Sequence, residues 1–129
     1  MAQEHPNIAL LKRFDLRDPA SWGEVMAEDV VWHYANPNLP DLSGDYVGLE
    51  GVRKFFRALG ARSGGTFNIH PLSITSVGNE LVVVQSRNTL ILEGHHIAVN
   101  VVVVWRIVGG LIVEVWDIVP GDAEVTPDD

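Results

Sequence analysis

The chain has 129 residues, of which 47% are hydrophobic and 20% charged, enough for one folded domain with a core and too few for two. Its formal net charge of −8 argues against nucleic acid or an anionic membrane surface as a partner, because both require clustered positive charge. Because the chain has no cysteine, no secretory leader in "MAQEHPN" and no apolar run long enough to cross a bilayer, we expect a soluble cytoplasmic protein without disulfides.

The first half of the sequence predicts three helices and one strand. Pro6 suits a first helical position, and apolar residues follow it at helical spacing as far as Phe14. The segment "DPASWGEVMAED" predicts a second helix capped by Asp18, and "DVVWHYA" predicts a strand. After a loop rich in proline, asparagine and glycine, "GLEGVRKFFRAL" has apolar residues at i, i+3, i+4 and i+7. This spacing predicts a third helix that ends at Gly60.

The second half has a period of two, which predicts antiparallel strands at about 66–77, 80–93, 96–108 and 111–119. The hairpin turns are marked by Gly78-Asn79, Glu93-Gly94 and Gly109-Gly110. The apolar frame slips at His70-Pro71, which indicates a bulge of the kind that curves sheets.

The order of elements predicts an α+β fold in which a curved antiparallel sheet is wrapped around N-terminal helices. We expect an α-α-β-α-β-β-β-β cone with one pocket, formed by residues 1–120 as a single domain. The acidic segment 121–129 is expected to be a flexible tail.

The strand predicted at 96–108 is apolar on both faces. Its two alternating sets are Val99, Val101, Val103 and Trp105, and Val102 and Val104. Because the helices of one chain can cover only one face of the sheet, we expect a homodimer through the outer face.

Asp117 is the first candidate for chemistry. Strand alternation in "IVEVWDIVP" places it on one face with Val113, Val115 and Val119. An acid in an apolar pocket has a raised pKa, because desolvation penalises its charged form, and it can exchange protons near neutral pH. From spacing alone, a solvated aspartate that caps N–H groups before the Pro120-Gly121 turn is an equal alternative.

Polar residues on two other strands are further candidates. Arg87 shares a strand face with Gln85 and Thr89; facing inward, it could pair with Asp117 or bind a substrate anion. With the opposite parity, these three side chains lie at the dimer face or in solvent.

The segment "WHYANP" supplies Trp32, His33, Tyr34 and Asn36. Tyrosine can donate a hydrogen bond to a developing oxyanion, and histidine can shuttle protons. Only one of His33 and Tyr34 can point inward, since they are adjacent in a strand. Aromatic packing and loop hydrogen bonding are the ordinary alternatives for Tyr34 and Asn36.

The sequence gives little support for a metal, a cofactor or a nucleophile. It has no HExxH or His-x-His motif, and the adjacent His95 and His96 would point to opposite sides of a strand. It also lacks a Gly-x-Ser-x-Gly elbow and a phosphate-binding loop. We therefore expect neither a metal site nor a cofactor.

Three segments resemble a known family: "AEDVVWHYANP", "GLEGVRKFFRAL" and "VVVVWRIVGGLIVEVWDIVP". Together they are similar to the SnoaL-like polyketide cyclase branch of the nuclear-transport-factor-two-like (cystatin-like cone) superfamily, over residues 7–119. The resemblance implies a conical pocket for a small-molecule ligand, often with dimerisation through the sheet. It also implies that Asp117 occupies the acid/base position of SnoaL-like cyclases, with Val115 where many relatives have a histidine.

Two other branches of the superfamily match less well. In limonene-epoxide-hydrolase-like proteins, a Tyr and an Asn hold water beside an Asp-Arg-Asp network. Tyr34, Asn36, Arg87 and Asp117 resemble these residues, but Thr89 stands in place of the remaining aspartate. The carboxylate positions of ketosteroid isomerases appear as Tyr34 and Val103, so both carboxylates are absent.

These observations predict a protein with a pocket for a small molecule. The first interpretation is a cofactor-independent acid/base enzyme of the cyclase or isomerase type that acts on a mostly apolar substrate. A water-adding hydrolase and a non-catalytic ligand-binding module are the alternatives. The predicted catalytic residues are Asp117, Arg87 and Tyr34. The predicted substrate contacts are His33, Asn36, Trp32, Gln85, Thr89, Val103, Trp105 and Val115.

Overall fold

The computed structural model of the protein describes residues 4–127. The helices are α1 (Pro6–Leu11), a 3-10 helix (Pro19–Glu24) and α2 (Gly48–Ser63). The strands are β1 (Met26–Ala35), β2 (Gly44–Val47), β3 (Asn68–Val77), β4 (Leu81–Leu92), β5 (His95–Val108), β6 (Leu111–Ile118) and β7 (Glu124–Pro127).

All seven strands form one sheet in the order β2-β1-β6-β5-β4-β3, and β7 pairs with the first residues of β5. Strands β3 to β6 are an antiparallel meander, as predicted, whereas β1 runs parallel to β6. The turn between β5 and β6 has positive φ at both Gly109 and Gly110, as a type I′ hairpin requires.

Register breaks give the sheet its curvature. The β3–β4 ladder shifts between Pro71 and Ser73, which confirms the predicted bulge. The β5–β6 ladder shifts between Arg106 and Ile107. At that second break Ile112 is fully buried and Val113 only half-buried, so Val113 does not share a face with Val115 and Asp117 as strand alternation predicted. The sheet remains open and curves around α2, and the predicted α+β architecture is confirmed.

The core lies between the concave sheet face and the helices. Phe55 of α2 is fully buried and packs on Trp32, Tyr34 and Tyr46, with ring centroids 4.6 to 6.0 Å apart. Trp22 of the 3-10 helix is also fully buried, and its Nε1 donates to the carbonyl oxygen of Asp15 at 2.7 Å. This aromatic packing holds the N-terminal segments against the inner sheet face.

Two predictions about the helices are wrong. The second helix is a short 3-10 helix without a side-chain cap from Asp18, and Met26 begins β1 because its side chain packs into the core in strand geometry. Helix α2 continues through Gly60 to Ser63. It ends at Gly64, whose left-handed φ of 61° closes the last turn.

The predicted flexible tail is partly ordered. Residues 124–127 form β7 on the edge of β5, and Glu124 Oε2 accepts from Arg87 Nη2 at 2.5 Å. Residues 128–129 lie outside the described residues, as do residues 1–3 of the predicted domain. Within residues 4–127, neither α-helix has the length and hydrophobicity that a membrane span needs.

Candidate functional site

The candidate site lies on the concave sheet face, where paired side chains form rows across the strands. Asp117 of β6 pairs with Tyr34 of β1 on one side and with Val103 of β5 on the other. Directly paired residues share a face of a sheet, so all three point toward the helices. The neighbouring row consists of Trp32, Val115 and Trp105.

Two adjoining cavities occupy this face, where one pocket was predicted. The larger, of about 650 Å³, lies between the sheet and the segment after α1, and its wall includes Trp32, Val103 and Trp105. The smaller, of about 150 Å³, is lined by Tyr34 and Asn36 and by apolar residues of β4, β5 and α2. The residues common to both walls are Leu59, Phe67, Asn88 and Asp117.

Asp117 is the only carboxylate on the wall of the smaller cavity within residues 4–127, and it stands among apolar side chains. Burial raises the pKa of Asp117 from 3.8 to about 7. Part of the side chain is still accessible from the cavities. The nearby indole of Trp32 lowers this pKa slightly, although Trp32 Nε1 makes no hydrogen bond of good geometry within residues 4–127. We therefore attribute the pKa to burial, and the carboxyl can exchange protons near neutral pH.

Tyr34 is held as a hydrogen-bond donor beside this acid. Asn36 Oδ1 accepts from the Asn38 backbone N–H at 2.9 Å, so its amide group points toward Tyr34 and donates to the hydroxyl at 2.8 Å. The Tyr34 hydroxyl therefore keeps its own proton for donation. Burial raises the pKa of Tyr34 to about 12, so the hydroxyl stays neutral at physiological pH.

Strand β4 has the parity opposite to the one predicted. Arg87 pairs with Glu124 of β7, and Gln85 is exposed. Thr89 Oγ1 lies 3.4 Å from Nε2 of His70, which is exposed on β3. The prediction that Arg87, Gln85 and Thr89 face the pocket is therefore wrong. Alternation sorts a strand into two sets of side chains, but it does not say which set faces inward.

Ser86 and Asn88 face inward instead, and sequence reasoning missed them. They are 2% and 8% exposed, and Ser86 Oγ donates to Asn88 Oδ1 at 2.9 Å. A signal for them was present in the sequence. A tight turn at Glu93-Gly94 places Asn88 opposite Val99, which belongs to the set predicted to face inward.

His33 lies on the outer face, so its predicted contact with substrate is wrong. Its Nδ1 is 2.6 Å from Asp45 Oδ1, its Nε2 is 2.7 Å from Glu114 Oε2, and its ring stacks on Trp116. The hydrogen bonds that His33 donates to Glu114 and Asp45 raise its pKa. Val115 faces inward but is fully buried and lines neither cavity, so it is core and not a substrate contact.

The described residues offer no metal centre. Within residues 4–127, no three His, Asp or Glu side chains converge in a way that could hold a metal ion. The polar groups on the wall of the smaller cavity include the carboxyl of Asp117, the hydroxyl of Tyr34 and the amides of Asn36 and Asn88.

Three solved structures are similar along most of their length. An NTF2-like protein from Burkholderia pseudomallei K96243 is 22% identical, with 91% of this chain and 92% of that chain covered and a TM-score of 0.79. TerC, crystallised with polyporic acid, is 24% identical, with 89% and 92% covered and a TM-score of 0.75. A candidate SnoaL-like polyketide cyclase from Jannaschia sp. CCS1 is 19% identical, with 92% and 91% covered and a TM-score of 0.74. At these identities the likeness shows the fold alone.

No curated protein matches the chain. The profile of the SnoaL-like domain family matches residues 8–115, which include the 3-10 helix, α2 and six of the seven strands in whole or in part. The matched region also contains Tyr34, Asn36, Ser86 and Asn88 and ends two residues before Asp117. The chain therefore belongs to the SnoaL-like domain family.

Proposed function

We propose that the protein is a cofactor-independent acid/base enzyme of the cyclase or isomerase type, acting on a small and mostly apolar ketone. The observation that carries this proposal is Asp117, a carboxyl with a pKa of about 7 on a largely apolar cavity wall. Carboxyl groups are seldom buried without a partner, and a perturbed acid in a cleft is typical of a catalytic site.

The proposed reaction begins with proton transfer from carbon. Ionised Asp117 accepts a proton from the carbon next to the ketone, and the electron pair of that C–H bond moves to the ketone oxygen as an enolate. Tyr34 donates its hydroxyl hydrogen bond to this oxygen, where negative charge develops. No base other than Asp117 is required, since its pKa lies near neutral pH.

The second half of the reaction decides the product. In an isomerisation, neutral Asp117 returns the proton to a different carbon of the enolate. In a ring closure, the enolate carbon attacks a second carbonyl group, and Asp117 protonates the alkoxide that forms. The apolar rings of Trp32 and Trp105 and the side chain of Val103 would contact the carbon skeleton. Arg87 has no part in this proposal, because its guanidinium pairs with Glu124.

Deuterium exchange tests the first step without knowledge of the natural substrate. We expect the protein to speed exchange of the protons next to the ketone of trans-1-decalone in D₂O, measured by mass spectrometry. Asp117→Asn should abolish the acceleration, and Tyr34→Phe should reduce it by roughly a hundredfold, as loss of one oxyanion donor does. The control is Asp29→Asn, at an exposed aspartate of β1, which should leave it unchanged. Equal exchange with Asp117→Asn and with the unmodified protein would refute the proposal.

Water addition is a second candidate, because the hydrogen-bonded pair of Tyr34 and Asn36 stands next to Asp117. Such a site could hold a water molecule while Asp117 accepts its proton. The Arg87 and Thr89 positions do not support this reading, since both face away from the acid. Water addition would be favoured if ¹⁸O from labelled water is incorporated into an epoxide substrate while the protein does not speed deuterium exchange of the ketone. A protein that binds ketones and catalyses neither reaction would be a binding module.

We also propose that the protein forms a homodimer through the outer sheet face. This face presents Val102, Val104 and Trp116, each half-buried in the single chain, and Ile118, which is 48% exposed. Apolar side chains in the middle of a sheet face are normally covered by a second layer. The resemblance to cone proteins that pair through their sheets supports a second copy of the chain as that layer.

A further inference from the structure

A second polar group interrupts the apolar wall of the cavities, on the side away from Tyr34. Ser86 and Asn88 lie on β4, on the same concave face as Asp117 but two strands away from it. Asn88 belongs to the wall of both cavities, and Ser86 to that of the larger one. The side chains that pair with them across β5 are Val101 and Val99, so the polar pair has an apolar neighbourhood.

The hydrogen bond within the pair fixes the orientation of Asn88. Its Oδ1 accepts from Ser86 Oγ at 2.9 Å. The amide nitrogen of Asn88 therefore points away from Ser86. Within residues 4–127 no group accepts a hydrogen bond from Asn88 Nδ2, although the residue is only 8% exposed.

Asn88 Nδ2 is accessible from the cavity, so a molecule that displaces water from this donor must offer an acceptor in return. Asn88 Nδ2 is an amide donor on the wall of an apolar cavity, so the group that fits it is a hydrogen-bond acceptor on an otherwise apolar molecule. A carbonyl oxygen has this character. A cationic group does not, because it has no acceptor to offer.

The distance between Asn88 and Asp117 is one that a fused-ring molecule can span. Two strand spacings lie between β6 and β4, or roughly 10 Å. Asn88 and Asp117 also differ by four residues along the sheet, since Asp117 pairs with Val103 and Asn88 with Val99. That offset adds roughly 13 Å along the strands, so the two backbone positions lie roughly 16 Å apart before the curvature of the sheet shortens the gap. A molecule of three fused rings with carbonyl groups at its two ends has the length to touch both.

We propose that Asn88, held in place by Ser86, binds a second carbonyl oxygen of the substrate, at the end of the molecule opposite the ketone that faces Asp117 and Tyr34. The substrate class is then an apolar fused-ring compound with two separated carbonyl groups. This inference rests on the proposed function for the reacting end, but binding at Asn88 can be measured without turnover.

Two matched ketones test the proposal by calorimetric titration. trans-anti-trans-Perhydroanthracene-2,6-dione and the corresponding 2-ketone share a skeleton and differ by one carbonyl group at the far end. We expect the dione to bind about tenfold more tightly, which corresponds to about 1.4 kcal/mol for the added hydrogen bond. Asn88→Leu should bring the ratio of the two dissociation constants close to one, because it removes the donor. Ser86→Ala should lower the ratio to an intermediate value, because Asn88 is then free to rotate.

The matched control is Asn100→Leu, at an exposed asparagine on the outer face of β5, which should keep the tenfold ratio. Should Asn88→Leu fail to fold, Asn88→Asp keeps the shape and replaces the donor with a carboxylate, so the ratio should again fall to one or below. An unchanged ratio in the Asn88 variants, or no binding of the dione to the unmodified protein, overturns the proposal. The deuterium exchange of trans-1-decalone does not depend on the second carbonyl, so failure of this inference and failure of the proposed function give different results.

Discussion

At the scale of single residues, the site depends on a contrast between two buried groups on neighbouring strands. Asp117 has its pKa raised to about 7, which places both its protonation states within physiological pH. Tyr34 has its pKa raised to about 12, which keeps it protonated throughout. Burial is the main cause in both cases, and the same cavity thus yields one group that exchanges protons and one that only donates a hydrogen bond.

Asp117→Asn should make the folded protein more stable at neutral pH. The folded-state pKa of Asp117 lies above the unfolded value, so the native chain binds more protons and loses stability as pH rises from about 4 to about 7. The shift from 3.8 to about 7 corresponds to about 4 kcal/mol, at about 1.4 kcal/mol per unit. Denaturant unfolding at pH 4 and pH 8 should show the stability advantage of asparagine at pH 8 and little at pH 4. A variant that is less stable at pH 8 would mean that ionised Asp117 stabilises the fold.

At the scale of elements, the sequence predicts what local periodicity determines. Helix α2 and strands β3 to β6 are predicted correctly because their apolar residues repeat over eight residues or more. The 3-10 helix was predicted as a longer helix, since nothing local distinguishes the end of "SWGE" from the start of a strand at Met26. The predicted inward face of β4 is wrong because alternation fits the set that contains Arg87 as well as the set that contains Asn88. Only pairing with β5 decides between them.

Two glycines of α2 should respond to alanine in opposite directions. Gly60 lies inside the helix with open space around its Cα, so Gly60→Ala should raise the unfolding free energy by up to about 1 kcal/mol. Gly64 has a φ of 61° at the C-terminal cap. Gly64→Ala should therefore lower the unfolding free energy by about 1 kcal/mol, because alanine is strained in this conformation. Chemical denaturation checks both. Stabilisation by Gly64→Ala would place the end of the helix elsewhere.

The outer face of β1 contains a histidine whose ion pairs with two carboxylates depend on pH. His33 lies between Asp45 and Glu114, and these hydrogen bonds raise its pKa. The resulting stabilisation is present below the unfolded pKa of 6.5 and is lost as pH rises through the folded value. His33→Gln should therefore destabilise the protein at pH 5.5 and have little effect at pH 9. Thermal unfolding at both values measures this, and His70→Gln, at an exposed histidine of β3, is the control. An equal loss at both pH values would assign His33 a packing role.

At the scale of the whole molecule, one curved sheet has two faces for which we propose different functions. Its concave face carries the cavities and the acid, and its outer face carries the apolar residues proposed to meet a second copy. The general architecture and the inward position of Asp117 were predictable from the sequence, because both follow from local pattern and resemblance. The pairing of β7 with β5 was not, because it joins segments far apart in the chain, and the inward position of Ser86 and Asn88 follows only from the register of the β4–β5 hairpin.

Val104→Glu should convert the proposed dimer into monomers. A charge introduced at the centre of an apolar interface has no partner, and the cost of about 3 kcal/mol corresponds to a dissociation constant roughly a hundredfold higher. Sedimentation equilibrium measures the change. Val125→Glu is the matched control, because Val125 is 57% exposed and pairs with Ile97 at the edge strand. A protein that is monomeric before any substitution would refute the dimer.

The parallel pairing of β1 with β6 has a consequence for how the site comes into being. Residues 34 and 117 are direct partners in that ladder, although 83 positions separate them along the chain. The hairpins from β3 to β6 can form between near neighbours, whereas this ladder requires closure of a loop of more than eighty residues, with a correspondingly large entropy cost. The acid and its hydroxyl partner therefore meet through one of the least local contacts in the sheet. A folding intermediate that already contains the β3–β6 meander would still lack the paired acid and hydroxyl.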